Sequence, residues 1–140
     1  MRTTCVLLSG GKDSVYAAHL AMFNGFDIAC FLTLFPKRSD SWMFHAPAIE
    51  VSRYIAKAMG IEQIIVETSG EKERELEDLE KGIAMARKYF NIEWLVSGAL
   101  LSDYQRMRIE RICNKLGIKT YTPLWRKNHE RYLLELYDHG

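Results

Sequence analysis

The run Ser9-Gly10-Gly11-Lys12-Asp13-Ser14 gathers, within six consecutive residues, the groups that hold an anion. Two glycines let the backbone approach a ligand with no side chain in the way, Ser9 and Ser14 offer hydroxyl donors, and Lys12 adds a positive charge. An apolar run, Cys5 to Leu8, precedes it, and a helical pattern with Val15, Ala18, His19 and Met22 on one side follows. A strand that ends in small residues and turns into a helix brings free backbone N–H groups and the positive helix end to one point. The chemistry this suits is a grip on a nucleotide's phosphates. Asp13 is the natural protein oxygen for Mg²⁺, which takes one or two carboxylates beside phosphates and water. A carboxylate that satisfies helix N-terminal donors is its alternative role. The Walker A pattern does not fit, because Asp13 separates Lys12 from Ser14, and the Rossmann pattern fails for want of a third glycine. A plain Gly-Gly turn is the structural alternative; serine, lysine and aspartate at fixed places weigh against it.

A second polar, glycine-bearing segment runs from Gly98-Ala99 through Ser102-Asp103-Tyr104-Gln105-Arg106 to Met107, Arg108, Ile109, Glu110 and Arg111. Arg106 and Arg108 fall in the first turns of a helix, where a guanidinium grips phosphate oxygens bidentately. Tyr104 and Gln105 supply neutral hydrogen bonds beside them, Gly98 and Ala99 belong to the same binding loop, and Glu110 orients an arginine. Arg111 and Lys115 read as a solvated face. A third segment, Pro36 to His45, sets Trp42, Met43, Phe44 and His45 in a loop that ought to be polar, which calls for burial against the body or a ligand face. His45 precedes Ala46-Pro47, a helix opening, so a packing or capping role stands beside a place near the nucleotide or its acceptor. His19, on the apolar stripe of the first helix, reads as core or rim. No spaced His, Cys or carboxylate ligands make a protein-only metal site, and no Ser/His/Asp set can be assembled.

Positioning such loops is the work of the elements between them. Strands are predicted over Thr3 to Leu8, Asp27 to Leu34, Gln63 to Glu67, Trp94 to Ser97 and Lys119 to Tyr121. Helices fill the gaps: Ser14 to Asn24 closing on Gly25, Pro47 to Met59 closing on Gly60, and an Ile109, Ile112, Cys113, Leu116 stripe closing on Gly117. Another helix carries the stripe Leu76, Leu79, Ile83, Ala86 and Phe90, opened by Thr68-x-x-Glu71 as a capping box. This alternation predicts an α/β fold, a five-stranded parallel sheet in the Rossmann-like order 3-2-1-4-5 with helices on both faces. In that order the first and fourth strands are neighbours, and a cleft opens where the loops after them part.

The 140 residues read as one domain, residues 1–140, long enough to bury about 68% of the surface of its unfolded chain. With 19 basic against 18 acidic residues, no long-range field recruits nucleic acid or an anionic membrane. Cys5, Cys30 and Cys113 each sit in an apolar context without Cys-x-x-Cys spacing, which reads as a reduced core. With no spanning stretch and no signal-peptide pattern, the expected location is cytoplasmic.

Ser-Gly-Gly-Lys-Asp-Ser after a first strand resembles the PP-loop of the N-type ATP pyrophosphatases. The resemblance continues through Ser41-Trp42-Met43-Phe44-His45, Thr68-Ser69-Gly70-Glu71-Lys72-Glu73, Ser97-Gly98-Ala99, Ser102-Asp103-Tyr104-Gln105-Arg106-Met107-Arg108-Ile109-Glu110 and Pro123-Leu124-Trp125. In that order these resemble the signatures of the diphthine–ammonia ligase branch, to which the Tyr-Gln-Arg-x-Arg-x-Glu run is specific. The resemblance implies an adenine nucleotide alpha hydrolase-like fold and ATP cleavage between the α and β phosphates. It implies an acyl-adenylate on the diphthine carboxylate of elongation factor 2, which ammonia attacks to give diphthamide. By the same resemblance Ser9, Gly10, Gly11, Lys12 and Ser14 hold phosphates, Asp13 places Mg²⁺, and Arg106 and Arg108 steady pyrophosphate or the substrate carboxylate.

Members of the branch usually continue into a smaller region with a Glu-Gly-Glu-type motif that helps form the acceptor site, and no such motif lies before Gly140. The expectation is therefore a nucleotide half without its acceptor half. A fragment, a homo-oligomer or separately encoded second half, or a paralogue with another acceptor fits it, with Trp42, Phe44 and Trp125 marking a partner surface. Two rival readings are a non-catalytic module that binds ATP or AMP and a PP-loop enzyme that modifies tRNA. The second lacks the paired cysteines and basic face such chemistry shows.

Overall fold

Each apolar run read as a strand forms one. The computed structural model describes residues 2–8, 12–36, 50–68, 72–97 and 103–122, with the backbone alone at residues 12, 13, 36, 72, 73 and 103–105. In chain order these give β1 (Arg2–Leu7), α1 (Lys12–Phe23), β2 (Phe26–Pro36), α2 (residues 50–59), β3 (Glu62–Thr68), α3 (Lys72–Phe90), β4 (Trp94–Ser97), α4 (Asp103–Lys115) and β5 (Lys119–Tyr121). Among the described residues the strands make a five-stranded sheet, ordered β3-β2-β1-β4-β5, with each neighbouring pair parallel. This is the predicted order. Parallel neighbours need crossover connections, which is why the helices cover both faces.

On one face Ala17, Ala18 and Ala21 of α1 and Ala56 of α2 pack on Val6, Phe31 and Val96. On the other, Leu79, Ile83 and Ala86 of α3 join Ile109 and Cys113 of α4 over Cys5, Cys30, Leu32 and Leu95. The stripes predicted for α3 and α4 thus face the core. The stripe predicted for α1 does so only in part: Ala18 is buried and Val15 packs against the core. His19 is exposed and Met22 is 49% exposed, whereas Ser14, Ala17, Ala18 and Ala21 are buried. That helix is apolar around most of its circumference, so periodicity carries no phase, and the small alanines are what let it sit close to the sheet.

Gly25, Gly60 and Gly117 close their helices at φ of 85°, 69° and 73°, as predicted. Beyond two of them Ile61 N–H reaches Ala56 O at 2.9 Å and Ile118 N–H reaches Cys113 O at 2.7 Å, the longer bond of a Schellman cap. α3 closes instead on Asn91, at φ 53°. At its start, Thr68 is the buried last residue of β3 and pairs with Pro36, while Glu71 of the capping box lies outside the described residues.

Gly82 is buried in the middle of α3, where glycine costs about 1 kcal/mol relative to alanine. Its reason is close approach: a Cβ there would lie 2.7 Å from Leu32 Cδ1 and 3.2 Å from Val66 Cγ2. Gly82→Val should lower stability by about 1–3 kcal/mol through overpacking, read as a shift in the urea midpoint at unchanged m-value.

Cys5, Cys30 and Cys113 are buried and free, as the composition implied. The side-chain hydrogen bond with Cys30, and burial after it, raise the Cys5 thiol well above its ordinary value. Burial first, and Glu110 second, push Cys113 from 9.0 up to about 12. An unfolded chain releases the Cys113 proton near 9.0 while the folded one keeps it to about 12, so the stability it contributes is complete below pH 9 and lost as pH climbs between those values. At about 1.4 kcal/mol per pH unit the loss across that window approaches 4 kcal/mol. Urea unfolding under reductant on either side of pH 9 should show a steep alkaline decline, made shallower by Cys113→Ala.

Candidate functional site

β1 and β4 lie side by side in the middle of the sheet, and their last residues, Leu7 and Ser97, are register partners. From β1 the chain passes through residues 8–11 to α1 on one face and returns to β2; from β4 it passes through residues 98–102 to α4 on the other face and returns to β5. In a parallel sheet, the C-terminal edge between two strands whose connections leave to opposite faces is the place where a ligand crevice is expected. Both helices begin at that edge, so the N–H ends of α1 and α4, with their positive poles, lie on that side of the sheet. The strand order that puts them there is the one the sequence predicts.

Of the predicted site residues, Ser9, Gly10, Gly11, His45, Gly98 and Ala99 lie outside the described residues, as do Trp42, Phe44 and Trp125. Lys12 and Asp13 open α1, and Tyr104 and Gln105 lie in the first turn of α4; these four are placed by backbone. Ser14, also in the first turn of α1, is buried at 4% exposure. Arg106 is half-buried, and its guanidinium donates to Glu110 Oε1 at 2.7 Å, one helical turn on. Glu110 therefore holds an arginine, as the sequence reading had it. Arg108 is half-buried and Arg111 exposed, so the charge run divides as predicted. Lys115 is 71% exposed, yet it is more than a solvated charge: its Nζ lies 3.0 Å from Glu80 Oε1, joining α4 to α3.

The fit to a divalent ion rests on the donor set. Among the described residues no cluster of three His, Cys, Asp or Glu converges on a metal geometry. Asp13, placed by its backbone at the start of α1, is the carboxylate residue that the sequence assigns to Mg²⁺, an ion that draws most of its ligands from phosphates and water.

Three residues that the sequence did not single out reach the root of the first loop. Thr33 Oγ1 donates to Leu8 O at 2.7 Å, and Gln63 Nε2 donates to Thr33 Oγ1 at 2.8 Å and to Ser52 Oγ at 2.9 Å. A polar side chain within a strand leaves no periodic signal, so only the fold reveals them.

Residues 1–120 match the diphthamide synthase N-terminal domain. The chain belongs to that family. Relatives of this diphthamide synthase domain include rat diphthine–ammonia ligase, 31% identical over 149 residues, covering 93% of this chain and 55% of the rat protein. The human protein of the same name is 28% identical over 151 residues, with the same coverage of each chain. That of Saccharomyces cerevisiae is 29% identical over 148 residues, covering 93% of this chain and 22% of its own length. The chain thus spans about half the length of the mammalian relatives it matches. A solved structure from Methanocaldococcus jannaschii DSM, described as a predicted subunit of tRNA methyltransferase, superposes with a TM-score of 0.59 at 18% identity, covering 99% of this chain and 75% of that one. At that identity the likeness is one of α/β fold alone. No helix among the described residues is long and apolar enough to cross a membrane.

Proposed function

We propose that this chain is the nucleotide half of a diphthine–ammonia ligase, cytoplasmic in location, which cleaves ATP to AMP and pyrophosphate. The carrying observation is the pairing of Leu7 with Ser97: the strands that precede the two candidate runs end side by side at one edge of the sheet, which supports a shared site. The diphthamide synthase match supports the choice of acceptor. A carboxylate is a poor electrophile while it carries its charge. In the proposed reaction an oxygen of the diphthine carboxylate on elongation factor 2 attacks the α-phosphorus of ATP, the bond to the β-phosphate bridging oxygen breaks, and pyrophosphate leaves. Ammonia then attacks the acyl carbon, AMP departs with the bonding pair, and the amide remains after a proton is lost.

The residues divide the work by their chemistry. Ser9, Gly10, Gly11, Lys12 and Ser14 hold the triphosphate, whose charge shifts towards the leaving pyrophosphate in the transition state, where fixed donors count most. Asp13 would hold Mg²⁺, which supplies charge neutralisation on the phosphates when bound. Arg106 and Arg108 steady pyrophosphate or the substrate carboxylate, with Glu110 fixing the angle of Arg106. Tyr104 and Gln105, in the first turn of α4, would add neutral hydrogen bonds, Gly98 and Ala99 are assigned to nucleotide binding, and His45 is assigned a role beside ATP or the acceptor. ATP labelled at the α phosphate decides the reading. AMP is the expected product, with turnover increased by ammonia and diphthine-bearing elongation factor 2. ADP would indicate a kinase-like hydrolase, and binding without any product would indicate a nucleotide sensor.

A further inference from the structure

The face of the sheet under α1 and α2 is apolar except for a chain of polar side chains that crosses it just below the first loop. Ser52 of α2 is 0% exposed and Thr33 of β2 is 2% exposed. Gln63, on β3, spends one amide hydrogen on each of them, at 2.9 Å and 2.8 Å. Thr33 in turn passes its hydroxyl proton to the carbonyl of Leu8 at 2.7 Å. Leu8 N–H is already bound to Leu32 O at 2.9 Å, so both polar groups of the last residue before the loop are tied to β2. Placing two buried polar side chains and a half-buried one in an apolar layer brings little net stability over apolar residues of the same shape. What the chain of bonds does achieve is location. The Leu8 carbonyl belongs to the rigid peptide that joins Leu8 to Ser9, so restraining it restrains the point from which the loop departs. Its far end is α2, the helix that follows the segment carrying His45.

We propose that Thr33 and Gln63 are positioning residues for the phosphate loop, fixing its root at Leu8 and tying that root to α2. The proposal rests on the ATP-cleaving reading above. Because Thr33 donates to one group while accepting from another, the bonds polarise one another, and loss of Gln63 weakens the contact at Leu8 without touching it.

The test measures MgATP affinity by calorimetry, and kcat and KM for AMP release, on wild type, Thr33→Val, Thr33→Ser and Gln63→Met, well below each melting temperature. Thr33→Val keeps the shape and leaves the buried Leu8 carbonyl without the hydroxyl, so MgATP binding and kcat/KM should each fall about 10-fold. Thr33→Ser restores the hydroxyl and should recover most of that loss. Gln63→Met fills the same space without donors and should show a smaller loss in the same direction. Variants that melt earlier yet bind and turn over MgATP as wild type does would overturn the proposal while leaving the functional reading intact. A wild-type chain that binds no MgATP would overturn both. Should Thr33→Val not fold, Thr33→Ser and Gln63→Met carry the decision alone, and wild-type behaviour in both defeats the inference.

Discussion

Lys12→Ala lowers AMP release from ATP by about 100- to 1,000-fold, the loss typical of removing one preorganised group that stabilises developing charge. The same change leaves the fold in place. Lys12 is the first residue of α1, where a cation opposes the helix dipole at about 0.3–1 kcal/mol when no anion is near. Alanine removes that penalty and is the best helix former. The melting temperature therefore stays level or rises slightly while activity collapses, and that divergence is the signature of a residue kept for its ligand. Calorimetry should show weakened MgATP binding, and Lys12→Arg should recover only part of the loss, since a planar fork does not replace a compact point charge. Unchanged turnover in Lys12→Ala, or a chain that no longer folds, removes lysine from the proposed phosphate grip.

The architecture was legible because the signals for it are local and repeated. Apolar runs gave each strand, Gly25, Gly60 and Gly117 marked helix ends through a backbone conformation other residues resist, and alternation implied the parallel order. Boundaries drifted where side-chain chemistry is silent: β2 runs to Pro36, which still pairs with Thr68 at the sheet edge. Facing was legible only for helices with a polar side. α3 and α4 have one and were oriented correctly. α1 lacks one, and the stripe its spacing predicts is split: Ala18 is buried, while Met22 and His19, the latter expected at the core or its rim, face out.

The site was legible in part for a related reason. Residues proposed to bind through charge or backbone access, such as Lys12, Arg106 and the glycines of the first loop, advertise themselves by type and spacing. Thr33, Gln63 and Ser52 are joined through distances set by three different elements, and nothing in their own neighbourhoods distinguishes them from ordinary strand and helix residues. Gly82 lies between the two cases. A glycine inside a long charged helix is a local anomaly, but only the position of Leu32 explains it.

Arg106→Ala should lower kcat/KM for AMP formation by about 100-fold or more, because a guanidinium fork that meets charge developing on pyrophosphate acts in the transition state. The structural reading of this arginine predicts a different result. As an i,i+4 pair with Glu110, with side chains 19% and 38% exposed, it adds only about 0.3–0.5 kcal/mol to the helix. Even that is generous, since arginine before glutamate is the less favourable order along a helix. The pair is thus poorly placed to serve the helix and well placed to hold a cation at its N-terminal end. A loss of two orders of magnitude is about 2.7 kcal/mol, several times what the pair contributes to folding, so activity and melting temperature separate the roles. Glu110→Gln tests the orienting contact. It keeps the shape, turns the ion pair into a hydrogen bond from the guanidinium to a neutral amide oxygen, and should reduce turnover about 10-fold while MgATP still binds, because the charge that holds Arg106 in place is gone. Arg106→Lys should stay close to Arg106→Ala, for a single ammonium cannot span two phosphate oxygens in one plane. If instead Arg106→Ala keeps wild-type turnover and only its melting temperature falls, the arginine belongs to the helix alone, and the charge at the α4 edge of the crevice has to come from Arg108.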